Sequence, residues 1–320
     1  MQQGLRSVGR TLAILVPVMF GVVTAVFLLL RIVPGDPAVM ILGERATDEQ
    51  LSALRAELGL NLPLWQQYLS FLGHLFTQGD TGASLVTGVP TRELVLSRAP
   101  VSFGIVGLAV IFALVIAVPL ALAAAKRQGK TVDHVVRVLP TITMGMPLFW
   151  IGLILILVFA VNLGWFPVGG VGNGPGDPLR SLVLPALAVA LGMAPPLIRS
   201  LRAQLLEAMS MEFVTTLRVA RIPERTITWK HVLRNAAVPT LNLLSVNTAA
   251  LVGGTLVVEK VFGINGLGTL LFQSISSRDF PVVQGIALYC ALFVVLIGLI
   301  AGVLSALIDP RLRGARGGRR

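Results

Sequence analysis

Three features of this 320-residue chain carry residue types that chemistry uses. Gly129-Lys130-Thr131 ends like a phosphate-binding P-loop, in which glycine-rich backbone wraps the phosphates and the lysine reaches their oxygens. That loop needs a glycine five residues before Gly129, and Ala124 stands there, so the spacing does not make a nucleotide cradle. Cys290 is the single cysteine and lies in an apolar run, which leaves nothing to pair it with and no thiolate set for a metal. His74, His134 and His231 fall in separate hydrophilic segments without the paired spacing of a zinc site. No G-x-S-x-G elbow or paired carboxylates occur, so hydrolysis has no visible machinery. The residues predict no metal, no cofactor held by this chain, and no enzyme.

The elements around these residues are apolar. With 55% hydrophobic and 13% charged residues, the sequence falls in the membrane class, and its length counts spans rather than soluble domains. Crossing ~30 Å of hydrocarbon takes about 20 helical residues, because lipid offers backbone amides no partners. Uncharged runs of that kind cover Leu12 to Leu30, Ala99 to Ala125, Val138 to Val161, Ser181 to Ile198, Asn235 to Val258 and Phe280 to Ile308. The sequence therefore predicts an all-α membrane protein with six transmembrane helices. The net charge of +11 admits a nucleic-acid partner in principle, but the basic residues lie beside the apolar runs, which is a topology signal.

Lys126, Arg127, Lys130 and Arg137 follow the second run, Arg199 to Arg234 the fourth, and Arg311 to Arg320 the sixth. The positive-inside rule makes these ends cytoplasmic, and Arg6 and Arg10 before the first run place the amino terminus there too. The opposite side has a long, acid-richer loop. In it Thr47 starts a helical pattern with Leu51, Leu54 and Leu58 on one face and Gly59 as its stop, followed by Leu64 to Leu72. We expect a small helical cap on the outer surface, with Trp65, Tyr68 and Trp165 at the outer interface and Trp229 at the inner one. The first run is too long for a secretory signal and lacks a small-residue cleavage site, so it reads as retained.

Ion-coupled transporters need ionisable groups within their spans, and none of the six runs has one. No inverted pair of broken helices and no TVGYG-type filter is visible. Any uphill movement of solute would take its energy from outside the chain. A secondary transporter or channel, and a sensory or scaffold protein facing ligand with its outer loop, are the rival classes.

Between the fourth and fifth runs two short cytoplasmic helices are expected. The first, near Ser210 to Ala220, sets Phe213, Leu217 and Ala220 on one face and Arg218 and Arg221 at the end that favours cations. Pro223 suits the start of the second, which runs through Trp229 and Arg234. Glu212-Phe213-Val214-x-Thr216-x-Arg218-x-Ala220, followed by His231-x-x-Arg234-Asn235-Ala236-x-x-Pro239, resembles the EAA coupling loop of binding-protein-dependent ABC importer permeases. More narrowly, it is similar to the dipeptide/oligopeptide permease family. Val33-Pro34-Gly35-Asp36-Pro37, Gly79-Asp80-x-Gly82-x-Ser84, Val258-Glu259-x-Val261-Phe262-Gly263-x-x-Gly266 and Arg278-Asp279-Phe280-Pro281 extend the likeness along the chain. The long first outer loop resembles the first of the family's two permease types. Arg221 departs from the pattern: the family has glycine there, so the turn either differs or is strained.

The resemblance implies half of a translocation pathway for di- or oligopeptides, completed by a second homologous permease in the cytoplasmic (inner) membrane. Nickel complexes and glutathione-like peptides are alternative solutes. Two ATP-binding-cassette subunits that bind ATP and Mg, and an extracytoplasmic solute-binding protein, are the implied partners. The coupling residues would be Met211, Glu212, Phe213, Val214, Thr216, Leu217, Arg218, Ala220 and Arg221. Asn242, Ser245, Asn247, Thr248, Gly253 and Thr255 form a polar, small stripe with two readings, close helix packing or a pathway lining. Glu259, Phe262 and Gly266 are outer-gate candidates, with a solvated helix-end charge as the other reading of Glu259. The domains expected are 1–31 (amino terminus and first span), 32–98 (outer helical loop), 99–308 (five-span core with coupling loop 199–234) and 309–320 (basic cytoplasmic tail).

Overall fold

The computed structural model of the chain describes residues 17, 20–28, 36–43, 46–172 and 177–308. Both ends of the first run and the basic tail of the sequence lie outside these residues. Helices account for nearly all of what is described, and no strand occurs among the described residues. In chain order they are α1 (20–28), α2 (Pro37–Leu42), α3 (Asp48–Glu57), α4 (Leu64–Gln78), α5 (Thr91–Lys126), α6 (Thr131–Met144) and α7 (Leu148–Leu155), which runs into a π-helical segment, Ile156–Asn162. There follow α8 (Asp177–Ser210), α9 (Glu212–Val219), α10 (Glu224–Thr226) with a second π-helical segment (Ile227–Val232), α11 (Leu233–Val261), α12 (Leu267–Ser276) and α13 (Phe280–Ile308).

Helices α5, α8 and α13 are each long and apolar enough to cross a membrane, and two bent pairs raise the count of candidate spans to as many as five. The third run, expected as one helix over Val138 to Val161, is instead broken: Thr131–Met144 and Leu148–Asn162 meet at 103°. Pro147 supplies the break. Its ring disfavours helical backbone at Met146, and Pro147 itself is extended at φ −59°, ψ 139°. A second bend, of 62°, separates Glu224–Leu251 from Gly253–Val261, where the glycine pair Gly253-Gly254 weakens the helix. Neither break was foreseen from the sequence.

The residues form two compact units, one built on Phe103–Ile264 with the chain from Val294, the other on the chain up to Ser102 with Asn265–Phe293. In the first, α8 is the central element, with α6, α7 and α11 packed on it. Pro185, Pro195 and Pro196 lie within α8, yet it continues through Ser210, well past the expected end at Ile198. Burial within the bundle lets neighbours meet the backbone groups that proline frees. On α5, Ala109, Ala113, Ala117 and Ala121 recur every fourth residue and are fully or almost fully buried, a small-residue stripe that allows close approach.

In the second unit, α3 forms as the sequence predicts. Thr47 caps its first turn, accepting from the Gln50 amide while the Gln50 side chain accepts from the Thr47 amide, and Gly59 sits at φ +65° beyond its end. The loop from Asp80 to Pro90 clasps the start of α13. Ser84 Oγ donates to Asp279 Oδ2 at 2.5 Å, the Leu85 amide donates to Asp279 Oδ1 at 3.0 Å, and Thr81 Oγ1 donates to the Pro281 carbonyl at 2.7 Å. Gly285 is obligatory there, since a Cβ would overlap the Thr91 side chain. Two stretches almost 200 residues apart in sequence thus form one knot of buried polar groups, in which Thr81, Ser84 and Asp279 are each hydrogen-bonded.

Candidate coupling site

The hairpin between α8 and α11 starts one residue after α8 ends, so 199–210, read from the sequence as loop, is helix. Its first limb, α9, buries Val214 completely and half-buries Phe213 and Leu217. These pack on a cluster of Leu201, Leu205, Ala208, Ile227, Val232 and Ala236, together with Ala121, Leu122 and Ala125 of α5. Ala220, expected on this inward face, is exposed at the helix C-cap. Its place is taken by Val214, one position round the helix from Phe213. Burying these side chains contributes roughly 1.5–3 kcal/mol apiece at full burial, which welds the hairpin to three helices of its unit.

The end of α9 is closed by two reverse hydrogen bonds. The Ile222 amide donates to the Leu217 carbonyl at 3.1 Å and the Arg221 amide to the Arg218 carbonyl at 2.9 Å. This is a Schellman closure, and Leu217 and Ile222 supply its hydrophobic contact against the cluster. It requires a left-handed residue, and Arg221 takes that role at φ +55°. The turn is therefore the one glycine would make, with a Cβ strain of ~1–2 kcal/mol added. Across the turn, Arg218 Nε donates to Glu224 Oε1 at 2.7 Å, both side chains being well exposed. That hydrogen bond, then the carboxylate's charge, raises the Arg218 pKa further above its already high value, so its cation is permanent.

The outward surface consists of Glu212, Thr216, Arg218, Ala220 and Arg221, with two apolar side chains, Met211 (43% exposed) and Val219 (79% exposed). Val219 was not singled out in the sequence, where it is the unassigned position between Arg218 and Ala220. Val219 is thus an exposed apolar side chain among polar and charged ones.

A second missed feature lies beside the P-loop-like triplet. Asp133, in the first turn of α6, is buried and receives both Arg202 Nε at 2.5 Å and Arg202 Nη2 at 2.7 Å. It also accepts the Gly129 amide at 3.0 Å. Gly129-Lys130-Thr131 is thus a helix start whose φ +74° glycine is held by Asp133. The only hint in the sequence is one acid in an otherwise basic turn.

The candidates on α11 separate by face. Asn242 and Gly253 are exposed, Ser245 and Asn247 half-buried, and Thr248 and Thr255 buried. Thr248 Oγ1 donates to the Leu244 carbonyl at 2.7 Å, as Thr240 does to that of Ala236, so these hydroxyls answer to their own helix. Asn247 Nδ2 is buried without a partner. Glu259 is fully buried, which corrects the reading of a solvated helix-end charge. Phe262 is buried against Gly152 of α7, and its carbonyl accepts the Gly170 amide at 2.9 Å. Gly266 is the N-cap of α12 in the other unit.

Comparison with known proteins agrees with this geometry. Residues 117–314 match the family described as binding-protein-dependent transport system inner membrane component, and residues 5–92 match its N-terminal family. The oligopeptide transport system permease protein AppB of Bacillus subtilis is 34% identical, over 93% of this chain and 96% of that protein. The di/tripeptide transport system permease protein DppB of Pseudomonas aeruginosa is 33% identical, over 98% and 100%. The glutathione transport system permease protein GsiC of Salmonella choleraesuis is 33% identical, over 93% and 96%. Among solved structures, a chain of the MetNI methionine ABC transporter in an inward-facing conformation has the same fold at TM-score 0.55 and 18% identity, covering 68% of this chain and 96% of that one. The chain, a helical bundle with apolar spans matched nearly from end to end by such relatives, belongs to the family of inner membrane components of binding-protein-dependent transport systems.

Proposed function

We propose that the chain is one permease subunit of an ATP-driven importer of di- or oligopeptides. Six spans with both termini in the cytoplasm enclose half of the pathway, and the outer loop 32–98, the core 99–308 and the tail 309–320 divide the labour. A second permease completes the pathway, two ATPase subunits holding ATP and Mg dock beneath, and a solute-binding protein delivers peptide from outside. The observation that carries this reading is the hairpin: rigidly packed inside, yet presenting Met211, Val219, Arg218 and Arg221 outward. Packed elements switch between discrete arrangements, so a partner that moves α9 moves α5, α8 and α11 with it. On α11, the faces of Asn242 and Gly253 suit the pathway, while Thr248 and Thr255 suit packing. Glu259 and Phe262, with Gly266, are proposed for the outer gate. GsiC, among the relatives, favours a glutathione-like peptide as the second reading of the solute.

Co-purification tests the proposal. The chain should bring its ATPase subunits with it, and Val219→Asp should weaken that association by roughly 30-fold, the effect of losing ~2 kcal/mol at an interface anchor. ATP turnover by the purified chain alone, or unchanged association of Val219→Asp and Met211→Asp together, would sink it.

A further inference from the structure

Helix α4, expected in the small helical cap on the outer surface, packs along α1. Tyr68 stands edge-on to Phe20 and Phe27 of α1, with ring centroids 6.4 and 5.1 Å apart, and Phe71 lies 5.7 Å from Phe27. Thr24 spends its proton on the Phe20 carbonyl at 2.7 Å, so at 2.6 Å it accepts from the Tyr68 hydroxyl. Phe20, Thr24 and Phe27 recur at i, i+4 and i+7, one face of α1 over two turns, and all three belong to the apolar run Leu12 to Leu30. α4 therefore lies alongside hydrocarbon-spanning sequence.

Its composition fits that depth. None of its 15 residues is Asp, Glu, Lys or Arg, whereas α3, just before it, has Asp48, Glu49, Arg55 and Glu57 and buries nothing. About 22 Å of helix is too short to cross the bilayer. The apolar arc of α4 has two edges. Tyr68 and Phe71 lie on the one that meets α1, while Trp65, Leu69 and Phe76 form the other and are exposed by 62%, 57% and 80%. Ser70, His74 and Thr77 are exposed on the opposite side. A helix apolar on one side, polar and uncharged on the other, and held at the depth of a spanning segment has one fitting occupant for its open edge.

We propose that the Trp65, Leu69 and Phe76 edge of α4 is seated in the acyl chains of the outer leaflet, so that α4 lies in the plane of the membrane as a lipid-contacting rim. The inference rests on the first run crossing the bilayer. The neutral polar side carries no preference for anionic headgroups.

Nitroxide collision measurements on the full chain, co-expressed with its partner subunits and reconstituted in phosphatidylcholine vesicles, test this. In a Cys290→Ala background, labels would be set at Leu69→Cys and Phe76→Cys, at Ser70→Cys and His74→Cys, and at Leu28→Cys on α1. Oxygen should outnumber a water-soluble nickel chelate in collisions at 69, 76 and 28, and the ratio should reverse at 70 and 74. Nickel access at 69 and 76 with a lipid-like 28 overturns the proposal and leaves the first span standing. Shielding of 69 and 76 from both reagents also overturns it, by assigning the edge to a protein partner. Nickel access at 28 removes the spanning segment itself.

Discussion

Arg221 adopts a left-handed conformation that the Schellman closure of α9 demands and that an L side chain resists. Replacing it with glycine removes ~1–2 kcal/mol of steric cost and restores ~0.5–1 kcal/mol of chain entropy to the unfolded state. Arg221→Gly should therefore stabilise the hairpin by about 0.5–1 kcal/mol, seen as slower amide exchange over residues 212–226, whereas Arg221→Val should speed it. The sequence exposed this question because an arginine stood where the family has glycine, but it left two answers open. Dihedral angles decide between them, and no pattern of side chains encodes those. The buried face of Val214 was passed over, and the burial of Glu259 left open between two readings, for a related reason. A periodicity of 3.6 orients a helix only to within one residue, so Val214 exchanged roles with Ala220, and the burial of a helix-end acid depends on packing that lies far away in sequence.

Among elements, the tie between α6 and α8 is the clearest dependency. Asp133 joins the turn after α5 to α8, the helix that leads into the hairpin, through a two-pronged arginine contact. Removing one partner of a buried pair costs ~3–5 kcal/mol, and with Arg202 still 17% exposed the lower end applies. Asp133→Ala should lower the stability of the detergent-solubilised complex by ~3 kcal/mol in thermal unfolding, and Asp133→Leu with Arg202→Met should recover most of the loss. Full additivity of the single variants would show that the two side chains do not act together. Elements with local signals were legible. Thr47, Gln50 and Gly59 announced α3 at both ends. The broken third run was not, because apolar residues flank Pro147 on both sides and hydropathy reads straight through a bend.

For the whole molecule, the alternation of basic and acidic loops predicts which surfaces face which compartment. In intact cells a membrane-impermeant maleimide should label Thr87→Cys, on the exposed tip of the outer clasp, and spare Val219→Cys until the membrane is opened. Labelling of position 219 from outside would invert the topology. The family, the helical class and the hairpin of α9 and α10 were legible because they rest on composition and on short spacings. The clasp around Asp279 and the Asp133 tie were not, because their partners lie 195 and 69 residues away.

The second limb of the hairpin has one more consequence. α10, the π-helical segment and α11 follow one another without a loop from Glu224 to Val261, so Glu224, the partner of Arg218 on α9, and the buried acid Glu259 stand on one continuous, once-bent rod. A displacement of its end at Glu224 would be carried along it as rotation or tilt, and the widened turns at Ile227–Val232, Pro239 within α11 and the elbow near Gly253 are places where slack can be taken up.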